Sequence, residues 1–485
     1  MMHRSQGLRT HMLSAVMAAA LAGCAVGPDF RPPEPPDVTQ YTPGKPLAKT
    51  VTAVTEFGNQ QRLVEGLPVE SQWWRHLGST ALNELVEEAF RSSPTLAAAN
   101  ATLRQAEELH AAKGGATQYP QANLGINAQR QRFNPSMLGL NGEPRQFNLY
   151  TPSVEVGYNL DLFGGNRRTL EALAARVDYR RFELDAARLT LAGSIAMAAL
   201  TRARLAGQID ATVAILHAQD EQLRIANERV RLGHASPDEA FSLQAQVEEM
   251  RAGLPVLRKQ LRQSEHLLAI LVGRAPGKSN IPAFTLADFT LPSELPVVVP
   301  SELVRHRPDI QGAEALMHAA NAEYGVAVAK LYPQINLSAS LGSQALTTAA
   351  LFGGSSLIWS LVGQLAQPLF APGLPAEKRA ALAAFDAAAA NYQGVVLEAL
   401  RNVADVLVAV EHDAQALASI AAADKAAQAF LIIVERQYQL GATGYLQVLI
   451  AQQQAHQTRI NLVAAQAQRL TDSVSLYQAL GGGVS

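Results

Sequence analysis

The chain has 485 residues, with 40 Lys and Arg against 42 Asp and Glu, a formal net charge of −2, and 17% charged residues. This balance offers no basic field to nucleic acid, and the charged share is below the roughly 25% of an ordinary soluble domain. No dinucleotide fingerprint, P-loop, HExxH or GxSxG motif occurs, and the 11 histidines are scattered without ligand spacing, so neither an enzyme nor a metal centre is expected.

At the N-terminus, Arg4 and Arg9 precede the apolar run MLSAVMAAALAG. A basic region followed by a short apolar one directs secretion and is too short to span a bilayer. LAGC at Leu21–Cys24 resembles a bacterial lipobox, making residues 1–23 a lipoprotein signal peptide and Cys24 the lipid-bearing first residue of the mature chain. The alternative is an ordinary signal with an incidental cysteine. Cys24 is the sole cysteine, so it has no disulfide partner in the chain. With Ala25 rather than Asp at the next position, the lipobox resemblance implies sorting to an outer membrane. Beyond it no run of about 18 apolar residues stands out, so no transmembrane helix is expected and a membrane crossing requires a closed barrel.

Next comes a helical stretch, Asn83–Gly114, leading to YPQANL at Tyr119–Leu124. Two alternating segments follow, with Ala122, Leu124, Ile126 and Ala128, then Val154, Val156, Tyr158 and Leu160, as their apolar positions. A period of two gives a strand with one apolar and one polar face. In a soluble sandwich that apolar face meets a core; in a membrane barrel it meets lipid. After DLFGG (Asp161–Gly165) no proline interrupts Asn166–Leu232, about 100 Å of helix at 1.5 Å per residue. Gly233 is placed to end it, Ser236 to cap the next helix and Pro237 to open it, on a run to Gly273. The Pro-rich Pro276–Pro300 links the halves.

The order then recurs. HRPDIQGAEALMHAANAEY (His306–Tyr324) precedes YPQINL (Tyr332–Leu337), and Ile335, Leu337, Ala339 and Leu341 alternate with polar residues. A less regular partner surrounds Trp359, Leu361 and Leu365, before PLFAPG at Pro368–Gly373, where Pro372 and Pro375 predict a bend. A long helix ends at Gly441, and Thr443 is the expected cap of the return helix. Gly233 and Gly441 stand as far apart as Gly273 and Gly481, so the halves are a duplication of about 200 residues.

Within these helices Leu205, Ile209, Thr212, Leu216, Gln219, Leu223, Ala226 and Val230 step by four and three in alternation. Leu243, Val247, Met250, Leu254 and Leu257 do the same, as do Leu400, Val403, Leu407, Val410, Ala414 and Leu417, and again Ile460, Val463, Ala467, Leu470, Val474 and Tyr477. A mean spacing of 3.5 held this long is a coiled-coil seam. Two shorter helices stacked end to end would run beside each long one.

Five ordered blocks carry a family resemblance: CAVGPDFRPP (Cys24–Pro33), QWWRHLGSTALNELVEEA (Gln72–Ala89), YNLDLFGGNRR (Tyr158–Arg168), HRPDIQGAEA (His306–Ala315) and the closing SLYQALGGG. Together they resemble the outer-membrane factors of tripartite efflux pumps, in the lipoprotein (NodT/OprM-like) branch of the TolC family. The resemblance implies an α plus membrane β-barrel fold built from two repeats, each of two strands and long coiled-coil helices. Three subunits would give four strands each to one barrel of roughly twelve, continued by a periplasmic α-helical tunnel with an equatorial belt. It divides the chain into the signal peptide 1–23, an N-terminal anchor and equatorial segment 24–75, a first repeat 76–275, a linker 276–300 and a second repeat 301–485.

The resemblance also assigns sites. The repeated hexamer marks where each half's helix becomes its first strand, with Tyr119 and Tyr332 either anchoring at the membrane interface or packing at the equator. Relatives often ring the periplasmic aperture with acids; the matching positions here are Leu446, Gln447 and Ile450. These imply an apolar, neutral gate, or else belong to the coiled-coil seam. Asp238, beside Glu239, is the nearest acid, whether at the pore or as an ordinary first-turn residue. An adaptor would engage the tips at Leu232–Gly233 and Leu440–Gly441. The expected protein is a homotrimeric, lipid-anchored outer-membrane duct that passively exports small molecules, driven by an inner-membrane pump through a periplasmic adaptor. It binds no nucleic acid and no cofactor other than the covalent lipid at Cys24. Alternatives are the exit duct of a type I protein secretion system and a structural envelope-spanning lipoprotein.

Overall fold

In a computed structural model, residues 25–44, 47–139, 141–278 and 280–482 are described, so Cys24 and the signal segment lie outside the described residues. In chain order the elements are β1 (Arg62–Glu65), α1 (Thr80–Ser92), α2 (Pro94–Gln118), β2 (Gln121–Phe133), β3 (Arg145–Leu160), α3 (Gly165–Arg231), α4 (Pro237–Leu271), β4 (Glu294–Val297), α5 (Pro300–His306), α6 (Pro308–Ala329), β5 (Gln334–Ser343), β6 (Leu357–Ala366), α7 (Gly373–Gln439) and α8 (Tyr445–Ala479). They fall into two compact units. Of the described residues, one comprises 25–33, Thr102–Arg180 and Ala313–Tyr392; the other comprises Glu34–Ala101, Arg181–Gly312 and 393–482.

The first unit holds a four-stranded antiparallel sheet in the order β2-β3-β5-β6. Its register aligns the alternations of all four strands: Leu124 faces Val154, Val154 faces Leu341, and Leu341 faces Trp359. One row along, Ala122, Val156, Ala339 and Leu361 line up in the same way. This face is apolar and open, with Leu124 and Trp359 each 75% exposed. The opposite face carries Asn159 bonded to Asn336 at 2.7 Å and Ser340 bonded to Ser360 at 2.7 Å. The irregularity of the fourth strand comes from Ile358 and Val362, apolar residues on this polar face. β2 and β6 are the edge strands, and every residue of both is exposed.

Each hexamer stands at a helix-to-strand change, α2 ending at Gln118 before β2, and α6 at Ala329 before β5. Tyr332 does not stand free: its ring stacks on Phe163 at 4.9 Å. Below the sheet, Arg168 fastens the N-terminal segment. Its guanidinium, 4% exposed, donates to Asp29 and Glu171 at 2.7 Å each and to the Gly27 carbonyl at 3.2 Å. Asn321 donates to the Pro28 carbonyl, and Phe30 stacks on His318 at 4.4 Å. Gly27, at φ +93°, passes so close to Gly325 that a Cβ would sit 2.8 Å from the Gly325 Cα. The segment's first described residue, Ala25, lies against Gly164, where β3 gives way to α3.

α3 and α7 have 67 residues each, and α4 and α8 have 35 each. The 3.5-residue stripes are their contact faces. Leu205, Thr212, Leu216, Gln219 and Ala226 of α3 are buried, as are Leu243, Val247 and Leu254 of α4, Val403, Val410, Ala414 and Leu417 of α7, and Val463, Ala467, Leu470, Val474 and Tyr477 of α8. α4 remains one helix despite Pro255 in its interior. Pro375 sits in the first turn of α7, where the missing N–H has no intrahelical partner to lose. α3 and α7 are long and apolar enough in composition to cross a membrane, where the sequence predicts no such helix. Alanine supplies much of that apolarity.

The single helix expected over Asn83–Gly114 is two, because Pro94 pushes Ser93 out of the helical region to φ −65°, ψ 123°. The same break recurs at Arg307 before Pro308 (φ −81°, ψ 123°). A return helix ends in each break. Gly273, at φ +82°, follows α4, and a Cβ there would meet the Ser92 carbonyl oxygen at 2.5 Å; Gly481, at φ +89°, would meet that of His306 at 3.0 Å. Arg274 clasps Glu88 at 2.5 and 2.7 Å, and Arg307 donates to the Ala479 carbonyl at 2.8 Å. Thus α4 abuts the start of α2, and α8 the start of α6.

Nearby, β1 and β4 pair in parallel, joining the N-terminal segment to the linker. Gln61 ties this sheet to α8, donating to Ser473 at 3.0 Å and accepting from Arg469 at 2.6 Å. One turn on, the Asp472 carboxyl is pushed up to about 7 by burial and the Asp413 carboxylate, against a bond from Gln468 and the charge of Arg469.

Two outcomes follow. Gly273→Ala places a side chain at positive φ against a carbonyl and should lower stability by about 1–3 kcal/mol. Gly233→Ala, also at positive φ but with nothing within 4 Å, should cost less; paired thermal melts in detergent decide. For Asp472 the folded form holds its proton more tightly than the unfolded chain, so its contribution is complete below about pH 4 and is lost as pH rises through about 7. Asp472→Asn should flatten the decline in melting temperature across that window, and an unchanged decline would assign it to other groups.

Candidate functional site

Two helical hairpins of the second unit, α3–α4 and α7–α8, end in turns built alike. Gly233 and Gly441 stand at φ +73° and +74°. In the first turn Gly233 N–H bonds to Val230 O and His234 N–H to Arg229 O; in the second Gly441 bonds to Tyr438 and Ala442 to Gln437. This is a Schellman motif, which closes the last carbonyls of a helix and needs a residue that tolerates the left-handed region. Beside these glycines Leu232 and Leu440 are exposed, so each turn offers an open leucine. Ser236 holds the N-cap position of α4 without a side-chain cap bond. The N-cap of α8 is Gly444, not Thr443, because the chain stays extended one residue further (φ −80°, ψ 158°).

The hairpins are linked by a polar contact that periodicity does not reveal. Arg229 of α3 donates to the Tyr438 hydroxyl of α7, and that hydroxyl donates to Glu239 of α4. Arg229 also lies 3.7 Å from Glu239 and over the Tyr438 ring at 5.7 Å. The Tyr445 ring of α8 is 5.2 Å from that of Tyr438, and burial holds both hydroxyls above the usual tyrosine range. Apolar packing continues the link: Leu449 of α8 joins Leu216, Leu243 and Val247, and Tyr445 touches both this cluster and that of Val434, Val448 and Ala451. Gln452 donates to Gln222 at 2.6 Å.

Of the residues singled out in sequence, Leu446, Gln447 and Ile450 share an exposed face of α8. They lie off the buried stripe of Val448, Leu449 and Gln452. Asp238 is exposed, and its carboxylate is held below the usual range by Ser236 and by backbone N–H groups of the first turn. Its neighbour Glu239 is the acid drawn into the link. Arg229 and Tyr438 escaped the sequence reading, though their positions, four and three residues before the turn glycines, are a signal once the hairpins are known. Among the described residues no group of three or more His, Cys, Asp or Glu is placed to hold a metal ion.

Comparison with known proteins agrees with this architecture. A sequence model of the family described as outer membrane efflux protein matches residues 85–274 and 299–482, one match in each half. The chain is 31% identical over 425 residues to the pyoverdine export outer membrane protein OpmQ of Pseudomonas putida, covering 86% of this chain and 89% of that one. It is 28% identical over 479 residues to the toluene efflux pump outer membrane protein TtgF, also of Pseudomonas putida, covering 98% and 97%. The solved structure of the outer-membrane channel OprN superposes with a TM-score of 0.85 at 25% identity, over 95% of this chain and 99% of that one. Family and fold are those of outer-membrane channels, and the chain belongs to the outer membrane efflux protein family.

Proposed function

We propose that three copies of this chain form an outer-membrane duct through which small molecules leave the cell, driven by an inner-membrane pump and coupled to it by a periplasmic adaptor. The observation that carries this reading is the four-stranded sheet. Its apolar face is open and its two edge strands are bare, which suits a segment of barrel completed by further copies in lipid. The apolar stretch of α7, of which 22% is buried, offers a further face for assembly. Relatives named for toluene and for pyoverdine support a small-molecule cargo. The duct performs no catalysis, binds no nucleic acid and carries no cofactor beyond a lipid on Cys24. Ala25 against Gly164 supports that assignment, since it brings the residue next to Cys24 in the sequence to the end of β3.

In this reading residues 1–23 are the signal, 24–75 the anchor and equatorial segment, 76–275 and 301–485 the repeats, and 276–300 the linker. Leu232–Gly233 and Leu440–Gly441 meet the adaptor. Leu446, Gln447 and Ile450 line an aperture closed by apolar contact, with Asp238 at its rim. The Arg229–Tyr438–Glu239 link holds the two hairpins together in the closed state.

Single-channel conductance tests both levels. The purified wild-type trimer should give a small conductance indifferent to divalent cations, and Ile450→Asp should make it sensitive to them. A conducting but unresponsive variant would move the aperture elsewhere. Tyr438→Phe keeps the ring but removes two charge-assisted bonds, worth about 1.5–3 kcal/mol each, and should raise the open fraction at least several-fold; an unchanged open fraction would rule out the link as a restraint. Deleting the gene in a strain without paralogues should sensitise cells to pump substrates. Cys24→Ser should abolish acyl labelling.

A further inference from the structure

We propose that the β3–β5 contact within one chain is the template for the contact between β6 of one copy and β2 of the next, and that Phe370 stacks on Tyr119 across it. The proposal rests on the trimeric barrel reading and adds a register and an aromatic pair to it. In the duplicated halves β3 corresponds to β6 and β5 to β2. β3 pairs with β5, whereas β6 and β2 are the bare edges. An edge strand with both faces exposed is a template for another chain unless something covers it, and here the chain already contains the shape of its cover.

The aromatic corner fixes the correspondence. At the β3–β5 junction the Leu162–Phe163 corner follows β3, and Phe163 stacks on Tyr332, the tyrosine of the second hexamer. Its counterpart after β6 is Leu369–Phe370, which are 95% and 90% exposed. The counterpart of Tyr332 is Tyr119, 66% exposed. Two large apolar side chains are therefore bare at just the positions whose equivalents are stacked.

Carrying the β3–β5 register across with this corner sets Leu365 opposite Leu124 of the next copy, Gly363 opposite Ile126 and Leu361 opposite Ala128. Apolar positions then meet apolar positions, as a two-residue period demands; a slip of one would put every apolar side chain on the wrong face. A slip of two keeps the faces and has a rationale, because the corner from Ala366 to Gly373 is two residues longer than that from Leu160 to Gly165. Strand tilt disfavours the slip that sets Leu365 opposite Ile126, and the aromatic corner disfavours the one that sets it opposite Ala122, since only the proposed register brings Phe370 to Tyr119 as Phe163 is brought to Tyr332. Gln121 faces Gly157, Gly157 faces Ser338 and Ser338 faces Val362. In the proposed register Val362 then faces Asn127 of the next copy, a shift of six residues across four strands. At about 3.3 Å per residue and 4.8 Å per strand this is a tilt of about 46°, close to the usual 35–45°, whereas a slip that sets Leu365 opposite Ile126 needs about 54° and one that sets it opposite Ala122 about 35°.

Disulfide trapping tests this in the full-length protein, whose one native cysteine is Cys24; the parent chain is the blank. On mild oxidation, chains carrying both Leu365→Cys and Leu124→Cys should run as covalent dimers and closed trimers on non-reducing denaturing gels. Leu365→Cys with Ile126→Cys should give at least several-fold less, since diagonal neighbours lie about 7–8 Å apart, at the limit a disulfide spans. Dominance of the second pair would overturn the proposed register. Trimers by native mass with neither pair closing would overturn the proposed register while leaving the assembly standing, whereas a monomer by native mass would overturn the trimer reading itself. Phe370→Ala and Tyr119→Ala should each lower the melting temperature of the trimer, with the double variant no worse than the more harmful single one; fully additive losses would overturn the stack.

Discussion

A strand lying in hydrocarbon has no water to satisfy its edge. That constraint organises the sheet and, through it, the chain. An inner strand such as β3 pairs on both sides, but four strands in a row always leave two edges, and each unpaired backbone group would cost several kcal/mol in lipid. A sheet this small cannot bend back on itself: eight strands give an interior just wide enough for side chains. The shortage has to be made up by other chains. The alternation in β2, β3, β5 and β6 is the side-chain half of the same constraint, with apolar rows outward and Asn159, Asn336, Ser340 and Ser360 inward.

Duplication supplies matched parts. The two Schellman turns have the same bonds, the two prolines break their helices at equivalent places, and each return helix closes with a glycine where a side chain would crowd a carbonyl. The halves differ where they do different work. Arg229 and Glu239 come from one hairpin and Tyr438 from the other, so the link is a property of the pair and of neither repeat alone. The corner after β3 is covered by the N-terminal segment, Val26 donating to the Phe163 carbonyl, while the corner after β6 stays open.

Much of this was legible because periodicity is a strong signal when it is long. The stripe from Leu205 to Val230 is buried or half-buried at every position, and the prolines of both hexamers stand where helix gives way to strand. What was misread turned on single residues. Pro94 broke a helix that the apolar pattern carried through, and Gly444 rather than Thr443 capped α8, because backbone angles and not side-chain preference decided where the helix began. The link at the turns was invisible for another reason: Arg229, Glu239 and Tyr438 are ordinary residues in ordinary helices until folding brings them together. Family resemblance directed attention to Leu446, Gln447 and Ile450, and the structure put all three on one open face.

The order of strands in the sheet has a consequence for how the protein is made. β2 with β3, and β5 with β6, are neighbours along the chain, so each pair closes a short loop and forms early. The seam between β3 and β5 joins Ser153 to Gly342, with both α3 and α4 in the intervening chain. Loop closure over such a span is slow and waits for the helices to bring its ends together. Until then two hairpins with apolar faces travel through an aqueous compartment unjoined, in the state most open to aggregation. The strand order thus makes the two hairpins early products and their seam a late one, with their apolar faces uncovered in between.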